Sequence, residues 1–561
     1  MSFLQKIGLG SKILLCGAGR LRESPVERRM KQSAAMLVCL VALGLAACAR
    51  QDARNAHAAG TLIFAVQKEP LSLNPLLLEG VDAYIYSEVL YANLTRYDAS
   101  GRPEPDLASE VPSLANGGVG PDGKRVTYHL RRGVRWQDGA PFSAQDVVFT
   151  YRAVMNPANT LPERYGYDLV ASVEAPDAYT VVVRLKRAFS PIIDFFFGGD
   201  SNYPVLPAHL LAALPNVNTA AFNAAPIGEG PYRFVRWDRG DRLTFDASAS
   251  YFGGKPHIEH LVLPFISQDT TAINELKTGE IDAAMELDPS RIAELRAIAN
   301  HRVVVTPVPW YYALGFNLQD PLLSDHAVRE GIALAIDRRT LTRKITQGVY
   351  DADTAMRGLF TWAFDPHADT LTYDPKRAAA LLTSDGWIPG ADGMRVKNGQ
   401  RLHFELAFPT GLSITTHFAT AIAAEERAIG VDVTLRQYPR AQIISNEGPL
   451  MQGHYQLSLY DYQAQVDPDV SWLLECDQRS PHGFNLSRYC NQSVDALLKH
   501  AAASFDRATR VADYAAIQRR IVDDLPYYFI CQVSEVDVIP MSLQGYQRPM
   551  LSPFNSVASW R

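Results

Sequence analysis

The chain has 561 residues, of which 47% are hydrophobic and 20% are charged, and its formal net charge is −6. This composition is ordinary for a globular protein, and the length predicts roughly two to four domains of about 100–200 residues each. A nucleic-acid partner is excluded, because binding phosphates needs a dense patch of Lys and Arg that the sequence does not contain.

The first 47 residues have the pattern of a bacterial lipoprotein leader. Basic residues around Arg28 precede an apolar run at 34–45, and Leu-Ala-Ala-Cys follows at 45–48. The run is shorter than the roughly 20 residues that span a bilayer, which disfavours a retained transmembrane helix. We expect residues 1–47 to be removed, Cys48 to carry lipid, and the small, polar residues 48–60 to tether a periplasmic or otherwise extracytoplasmic domain to the membrane.

Two details of this leader have alternatives. Arg28 and Arg29 form a pair that also occurs in twin-arginine export signals, although the apolar run follows them almost directly. A signal peptide of ordinary length begins at Met30, so we expect translation to start there rather than at Met1.

Three cysteines remain outside the leader and the lipidation site. Cys476 and Cys490 close a loop of about 15 residues, and a disulfide there stabilises the fold by about 3 kcal/mol. The alternative is a metal site with His482 as third ligand, but zinc sites usually have CxxC-like spacing and four ligands. Cys531 follows an apolar run and is predicted to be a buried thiol.

Strand and helix patterns are mixed along the mature chain, which predicts an α/β fold with mixed sheets. The predicted strands lie at 62–67, 180–185 and 531–539, and a hairpin is predicted over 124–136 with its turn at Arg132-Gly133. Ser143 and Asp146 form the N-cap signal of one helix. Further helices are predicted at 269–278, 328–336, 374–382 and 511–525.

Catalytic motifs are missing from the sequence. Gly118, Gly120 and Gly123 fit GxGxxG, but a turn and a strand follow them where a dinucleotide site needs a helix, so we predict a hairpin loop. P-loop, HExxH, GxSxG and CxxC patterns do not occur, and the 13 histidines are scattered. The sequence favours binding over catalysis and predicts no catalytic residue, no metal and no cofactor.

Aromatic residues are the natural candidates for ligand contacts. The chain has 25 Tyr and 7 Trp, whose rings offer rigid surfaces that are apolar with a polar tip. The candidate contact rings are Tyr84, Trp310, Tyr311, Trp362 and Tyr460, and core packing is the alternative for each of them.

A series of segments resembles the family 5 solute-binding proteins, the peptide-binding components of ABC importers. No single segment is specific for this family, but the order in which the segments occur along the chain is specific for it. The segments are TYHLRRGVRWQDG at 127–139, PFSAQDV at 141–147, PIGEGPY at 226–232, YFGGKP at 251–256, KTGEIDA at 277–283, VREGIALAIDR at 328–338, NLSRYCNQSVDALL at 485–498 and LQGY at 543–546.

The resemblance implies a two-lobed periplasmic-binding-protein fold that closes on its ligand about a two-strand hinge. Lobe I would comprise residues 61–307, with an inserted subdomain at about 106–221, and the C-terminal return 527–561. Lobe II would comprise residues 308–526. An extended peptide in the cleft can pair its backbone as an added strand, and the loops with Asp138-Gly139 and Gly230-Pro231 are expected to be structural.

The sequence departs from the dipeptide binders of that family at both charged anchors. Ala464 stands where an acidic residue holds the peptide amine, so Asp461 or Asp467 is the candidate substitute. No arginine occurs in the segment 408–413, where the carboxylate anchor is expected. Because an unpaired buried carboxylate is costly, a strict dipeptide binder is disfavoured, and longer peptides or a neutral ligand remain.

The sequence therefore predicts a monomeric, lipid-anchored binding protein that captures oligopeptides and delivers them to an ABC permease and its ATPase. The membrane would be contacted through the lipid alone. Within the same fold, a nickel chelate, haem or a glycan is the alternative ligand. An exported hydrolase and a sensor that presents its ligand to a receptor are the alternatives outside this transport role.

Overall fold

The computed structural model describes residues 60–561 except 79, 99, 163, 165, 200, 202 and 552. The predicted leader, Cys48 and nearly all of the tether lie outside the described residues. In the part that is described, no helix combines the length and the apolar character needed to cross a membrane.

The strands lie throughout the chain. They are β1 Thr61–Ala65, β2 Thr95–Tyr97, β3 Pro103–Pro105, β4 Arg125–His129, β5 Val170–Asp177, β6 Thr180–Leu185, β7 Tyr232–Asp238, β8 Arg242–Ala247, β9 His260–Pro264, β10 Ala283–Ala284, β11 His301–Phe316, β12 Ile388–Pro389, β13 Arg395–Lys397, β14 Gln400–Arg401, β15 His403–Pro409, β16 Asp432–Tyr438, β17 Leu457–Gln463 and β18 Tyr527–Pro540.

The α-helices alternate with these strands. They are α1 Val81–Leu90, α2 Ala144–Met155, α3 Ile192–Phe195, α4 Ala208–Leu211, α5 Asp269–Thr278, α6 Ile292–Arg296, α7 His326–Ala335, α8 Arg338–Ile345, α9 Arg357–Phe360, α10 Pro375–Ser384, α11 Ser413–Ala428, α12 Arg440–Ile443, α13 Pro449–Gln452, α14 Ser471–Leu474, α15 Gln492–Ala503 and α16 Arg507–Asp524.

One mixed sheet runs through the molecule in the order β16-β15-β17-β11-β18-β10-β1-β9-β8-β7. Its centre is the antiparallel pair β11 and β18, which match His301 with Pro540 at one end and Gly315 with Tyr527 at the other. Smaller sheets have the orders β4-β6-β5, β12-β13-β14 and β2-β3. The predicted α/β class with mixed sheets is confirmed.

The register of β11 against β18 shifts between Pro307 and Tyr311. Pro307 and Pro309 lie at this shift, and the Pro309 carbonyl faces β17, where it accepts the N–H of Ala464 at 2.8 Å. The side-chain amide of Gln532 donates to the Val308 carbonyl at 3.0 Å and satisfies it. The long strand pair is therefore continuous in direction but interrupted in hydrogen bonding near its middle.

The buried apolar residues form separate cores on the two sides of this interruption. One core takes nearly all of its members from residues 62–285 and 539–560, and it includes the sheet β4-β6-β5. Two further cores take theirs from residues 308–533. β11 and β18 thus connect two differently packed halves of the molecule.

The predicted helices are close to the observed ones. Residues 269–278 match α5, which ends at Gly279 in the left-handed conformation. α2 begins with the predicted capping box of Ser143 and Asp146. The hairpin predicted over 124–136 is wrong, because β4 pairs with β6 instead of with the residues after Gly133.

Two of the sequence segments that carry the resemblance pack against each other. Gln137 donates its backbone N–H to the Gly228 carbonyl at 2.9 Å, and its side-chain amide donates to the Tyr232 carbonyl at 2.9 Å. Gly230 donates its N–H to the Leu90 carbonyl at 3.0 Å. These contacts give both segments a structural role.

Gly228→Ala is expected to lower the free energy of unfolding by roughly 2–3 kcal/mol, as overpacking does in a tight core. An added Cβ would lie 1.7 Å from the Leu90 carbonyl oxygen, so the backbone must shift. Chemical denaturation followed by circular dichroism measures the change. The control is Gly240→Ala, where φ is +74° but the space is open, and equal losses in the two variants would contradict this packing.

Candidate ligand-binding cleft

A cavity of about 580 Å³ lies between the two halves. The half that contains β1 contributes Gln67, Lys68, Gly80, Ile85 and Glu286. The half that contains β17 contributes Arg440, Ile444, Tyr460, Asp461, Tyr462, Gln463, Trp472 and Phe484. Its volume and its mixture of rings with a few charged groups are typical of small-molecule sites.

The C-terminal end of β17 forms one edge of this cavity. β17 pairs with β11 along its whole length, from Leu457 with Phe316 to Gln463 with Trp310. Its pairing with β15 covers Leu457 and Ser458 and goes no further. Within the described strands, residues 459–463 therefore have a neighbour on one side and an open edge on the other.

Arg440 and Asp461 form an ion pair in the wall of the cavity. Nη1 of Arg440 donates to Oδ1 of Asp461 at 2.6 Å and Nη2 donates to Oδ2 at 2.9 Å. The guanidinium carbon also lies 4.9 Å from the centre of the Tyr460 ring. Burial by itself lowers the pKa of Arg440, but the hydrogen bonds and charge of Asp461 outweigh it and raise that pKa.

Aromatic rings cover the same wall. The ring of Tyr462 stacks on that of Tyr311 with centroids 5.3 Å apart, and Tyr460 meets Tyr462 edge to face at 5.5 Å. Trp472, on α14, and Phe484 lie with ring centroids 6.0 Å apart. The wall therefore offers apolar ring surface around one neutralised ion pair.

The segment that carries Phe484 is closed by the predicted disulfide. Cys476 and Cys490 are bonded, and Phe484 lies between them in sequence. Because both sulfurs are in this bond, they are not ligands of the alternative metal site with His482. In the described part of the chain, no three His, Cys, Asp or Glu side chains are grouped so as to hold a metal ion.

The opposite wall has a buried acidic cluster behind Glu286. Arg548 donates to Asp537 at 2.8 Å and to Glu286 at 3.3 Å, and the Tyr546 hydroxyl donates to Asp537 at 2.6 Å. Glu535 lies two residues before Asp537 on β18, so both side chains project from the same face. Carboxyl groups outnumber the guanidinium here, and burial together with the charge of Glu286 raises the pKa of Glu535 to about 8.

Two of the predicted contact residues, Tyr460 and Asp461, line the cavity. Tyr311 is only 1% exposed and lies under Tyr462, so it supports the wall and does not reach a ligand. Its burial follows from its place in a central strand of the large sheet.

Three other predicted rings, Tyr84, Trp310 and Trp362, belong to a separate apolar cluster. They pack with Tyr97, Val466 and Leu551, which come from both halves of the molecule. None of the three is part of the cavity lining in the described structure. Their observed role is contact between the halves.

Asp467 has a structural role instead of the predicted contact. Its two carboxylate oxygens accept hydrogen bonds from Arg510 at 2.8 and 2.7 Å, and its side chain is completely buried. A carboxylate that is fully paired and shielded from the cavity cannot reach a ligand amine.

Several lining residues were not predicted from the sequence. Arg440 begins α12 immediately after β16, and a search for a cationic partner of Asp461 would have suggested it. Glu286, Trp472 and Phe484 carried no pattern of their own, because distant segments bring them to the cavity.

Glu535→Gln is expected to stabilise the protein more at pH 8 than at pH 5. The raised pKa means that the folded protein keeps a proton that the unfolded chain releases, so the wild type loses stability between pH 4.5 and about 8. Glutamine does not titrate, and the gain should reach on the order of 2 kcal/mol at pH 8. Urea denaturation at the two pH values measures it, and equal gains at both would refute the raised pKa.

The sequence matches the family model described as bacterial extracellular solute-binding proteins, family 5 Middle, over residues 102–480. Protein XP55 of Streptomyces lividans is 29% identical over 517 residues, which cover 91% of this chain and 90% of that protein. The oligopeptide-binding protein AppA of Bacillus subtilis is 24% identical over 550 residues, covering 95% and 99%.

Solved structures share the fold over almost the same span. NikZ from Campylobacter jejuni in complex with Ni(L-His) has a TM-score of 0.74 at 27% identity and covers 90% of this chain and 99% of its own. AppA from Bacillus subtilis in complex with a nonapeptide has a TM-score of 0.70 at 22% identity, covering 89% and 98%. The chain belongs to family 5 of the bacterial extracellular solute-binding proteins.

Proposed function

We propose that this protein captures peptides of several residues outside the cytoplasmic membrane and delivers them to the permease of an ABC importer. It acts as a monomer without catalysis, and a lipid on Cys48 anchors it to the membrane. The likeness to the oligopeptide-binding protein AppA of Bacillus subtilis supports a peptide ligand.

The open edge of β17 is the observation that carries this proposal. The N–H of Ala464 donates to the Pro309 carbonyl on the β11 side. Because successive N–H groups along a strand point to opposite sides, those of Asp461 and Gln463 point to the open edge beside the cavity. An extended peptide can pair there as an added strand, which gives affinity with little dependence on its side chains.

The two walls offer different groups to the rest of the peptide. The rings of Tyr460, Trp472 and Phe484 provide apolar contact for side chains. Glu286, which lines the opposite wall, offers a carboxylate oxygen to the peptide ammonium group. A ligand held in this way spans the cavity from one half to the other.

Closure about β11 and β18 completes the proposed cycle. Residues 61–307 with 527–561 form lobe I, residues 308–526 form lobe II, and the interrupted pairing at Pro307 and Pro309 allows them to rotate. Rotation about such a hinge buries the ligand and presents a closed form for the permease to recognise.

A metal chelate is the second candidate ligand. NikZ from Campylobacter jejuni, with the same fold, was solved in complex with Ni(L-His). A chelate brings most of its own ligand atoms, so it does not require a protein metal site. The open strand edge favours the peptide, because a compact chelate would leave the N–H and C=O groups of the β17 edge without hydrogen-bond partners.

Gln463→Pro is expected to weaken peptide binding about tenfold relative to Gln463→Ala, since proline removes one N–H from the open edge and alanine keeps it. Gln463 is exposed and its own N–H points away from β11, so the fold should tolerate both changes. Isothermal calorimetry with the tetrapeptide Ala-Phe-Ala-Ala measures the affinities. Equal affinities would rule out pairing at this edge, and a wild type that does not bind the peptide would count against the proposed ligand class.

A further inference from the structure

The charged groups on the wall formed by β17 and α12 are one arginine and one aspartate, and their charges cancel. Arg440 and Asp461 stand together on the wall formed by β17 and α12, and Lys68 shares the opposite wall with Glu286. A cavity that anchors a carboxylate normally keeps a guanidinium or ammonium group whose charge no neighbouring carboxylate cancels. Arg440 does not meet that condition.

The geometry of the pair decides what Arg440 can still do. Both terminal nitrogens donate to Asp461, at 2.6 and 2.9 Å, which is the two-pronged arrangement that a ligand carboxylate would need. One face of the guanidinium lies over the Tyr460 ring at 4.9 Å. The remaining N–H groups can donate to a neutral acceptor, such as a peptide carbonyl.

A ligand carboxylate would have to displace Asp461 from Arg440. Asp461 is held in place by β17, so it competes as an intramolecular group with a high effective concentration. Its side chain is only 14% exposed, and displacement would leave its charge unpaired in a poorly hydrated place. Both effects oppose the exchange.

We propose that Asp461 is a specificity-determining residue that cancels Arg440, so that the cleft takes peptides without gripping their C-terminal carboxylate. This inference rests on the proposed peptide-binding function and narrows it. The substrate class is a peptide recognised through its backbone, its side chains and its ammonium end. Peptides whose C-terminus is amidated or lies outside the cavity are bound with the same affinity as peptides whose free C-terminal carboxylate lies inside it.

The test compares Ala-Phe-Ala-Ala with the same peptide carrying a C-terminal amide. In wild-type protein, calorimetry should give the two dissociation constants within about threefold of each other. Asp461→Asn keeps the size of the side chain and removes its charge, so the free acid should then bind at least about tenfold more tightly than the amide. The double variant Asp461→Asn with Arg440→Gln should return the ratio to near one.

The outcomes separate this inference from the function on which it rests. A wild type that binds both peptides but prefers the free acid by about tenfold or more overturns the role of Asp461 and leaves peptide binding intact. If the ratio of the two dissociation constants is the same in a folded Asp461→Asn variant as in the wild type, the role of Asp461 is also overturned and peptide binding is left intact. A wild type that binds neither peptide overturns the proposed function, and the wild-type comparison stays decisive if the variant does not fold.

Discussion

The antiparallel pairing of β11 with β18 is the constraint on which the rest of the structure depends. These two strands run from one half of the molecule to the other, and the large sheet is continuous because they are central to it. The register of the pair shifts between Pro307 and Tyr311, and the separate cores lie on the two sides of this shift. The same pair thus joins the two halves of the molecule, with the cavity beside it.

The chemistry of the cavity follows from how the buried charged groups are paired in each half of the molecule. On the β17 side, Asp461 neutralises Arg440, which leaves ring surface and an open strand edge as the groups for recognition. On the other side, one guanidinium, that of Arg548, pairs with both Asp537 and Glu286, and burial together with the charge of Glu286 raises the pKa of Glu535. The two sides of the cavity therefore differ: one presents rings and an open strand edge, and the other presents Glu286 in front of a buried cluster of carboxyl groups around Arg548.

The sequence predicted local structure well where the signal was local. The helix at 269–278 is bounded by an acidic first turn and by Gly279, and the capping box of Ser143 needs only neighbours in the chain. The hairpin over 124–136 failed because the partner of β4 is β6, which begins at Thr180. Strand patterns show which residues alternate, but not which distant strand they pair with.

The site was harder to predict than the fold, for the same reason. Tyr460 and Tyr311 have the same chemistry, and their places in the sheet decide that one lines the cavity while the other lies beneath it. Asp461 and Asp467 differ in their partners, Arg440 and Arg510, which are remote in sequence. Family resemblance supplied the order of segments and the two-lobed fold, and the sequence also showed the departures at Ala464 and in 408–413, but only the structure shows which arginines pair with Asp461 and Asp467.

The most direct test is mass spectrometry of the ligand that purifies with a soluble protein beginning just after Cys48. Our account predicts peptides of several lengths and mixed sequences, because an open strand edge selects for an extended backbone and Asp461 removes selection for a C-terminal carboxylate. Recovery of a metal chelate or a glycan with no peptide would contradict it.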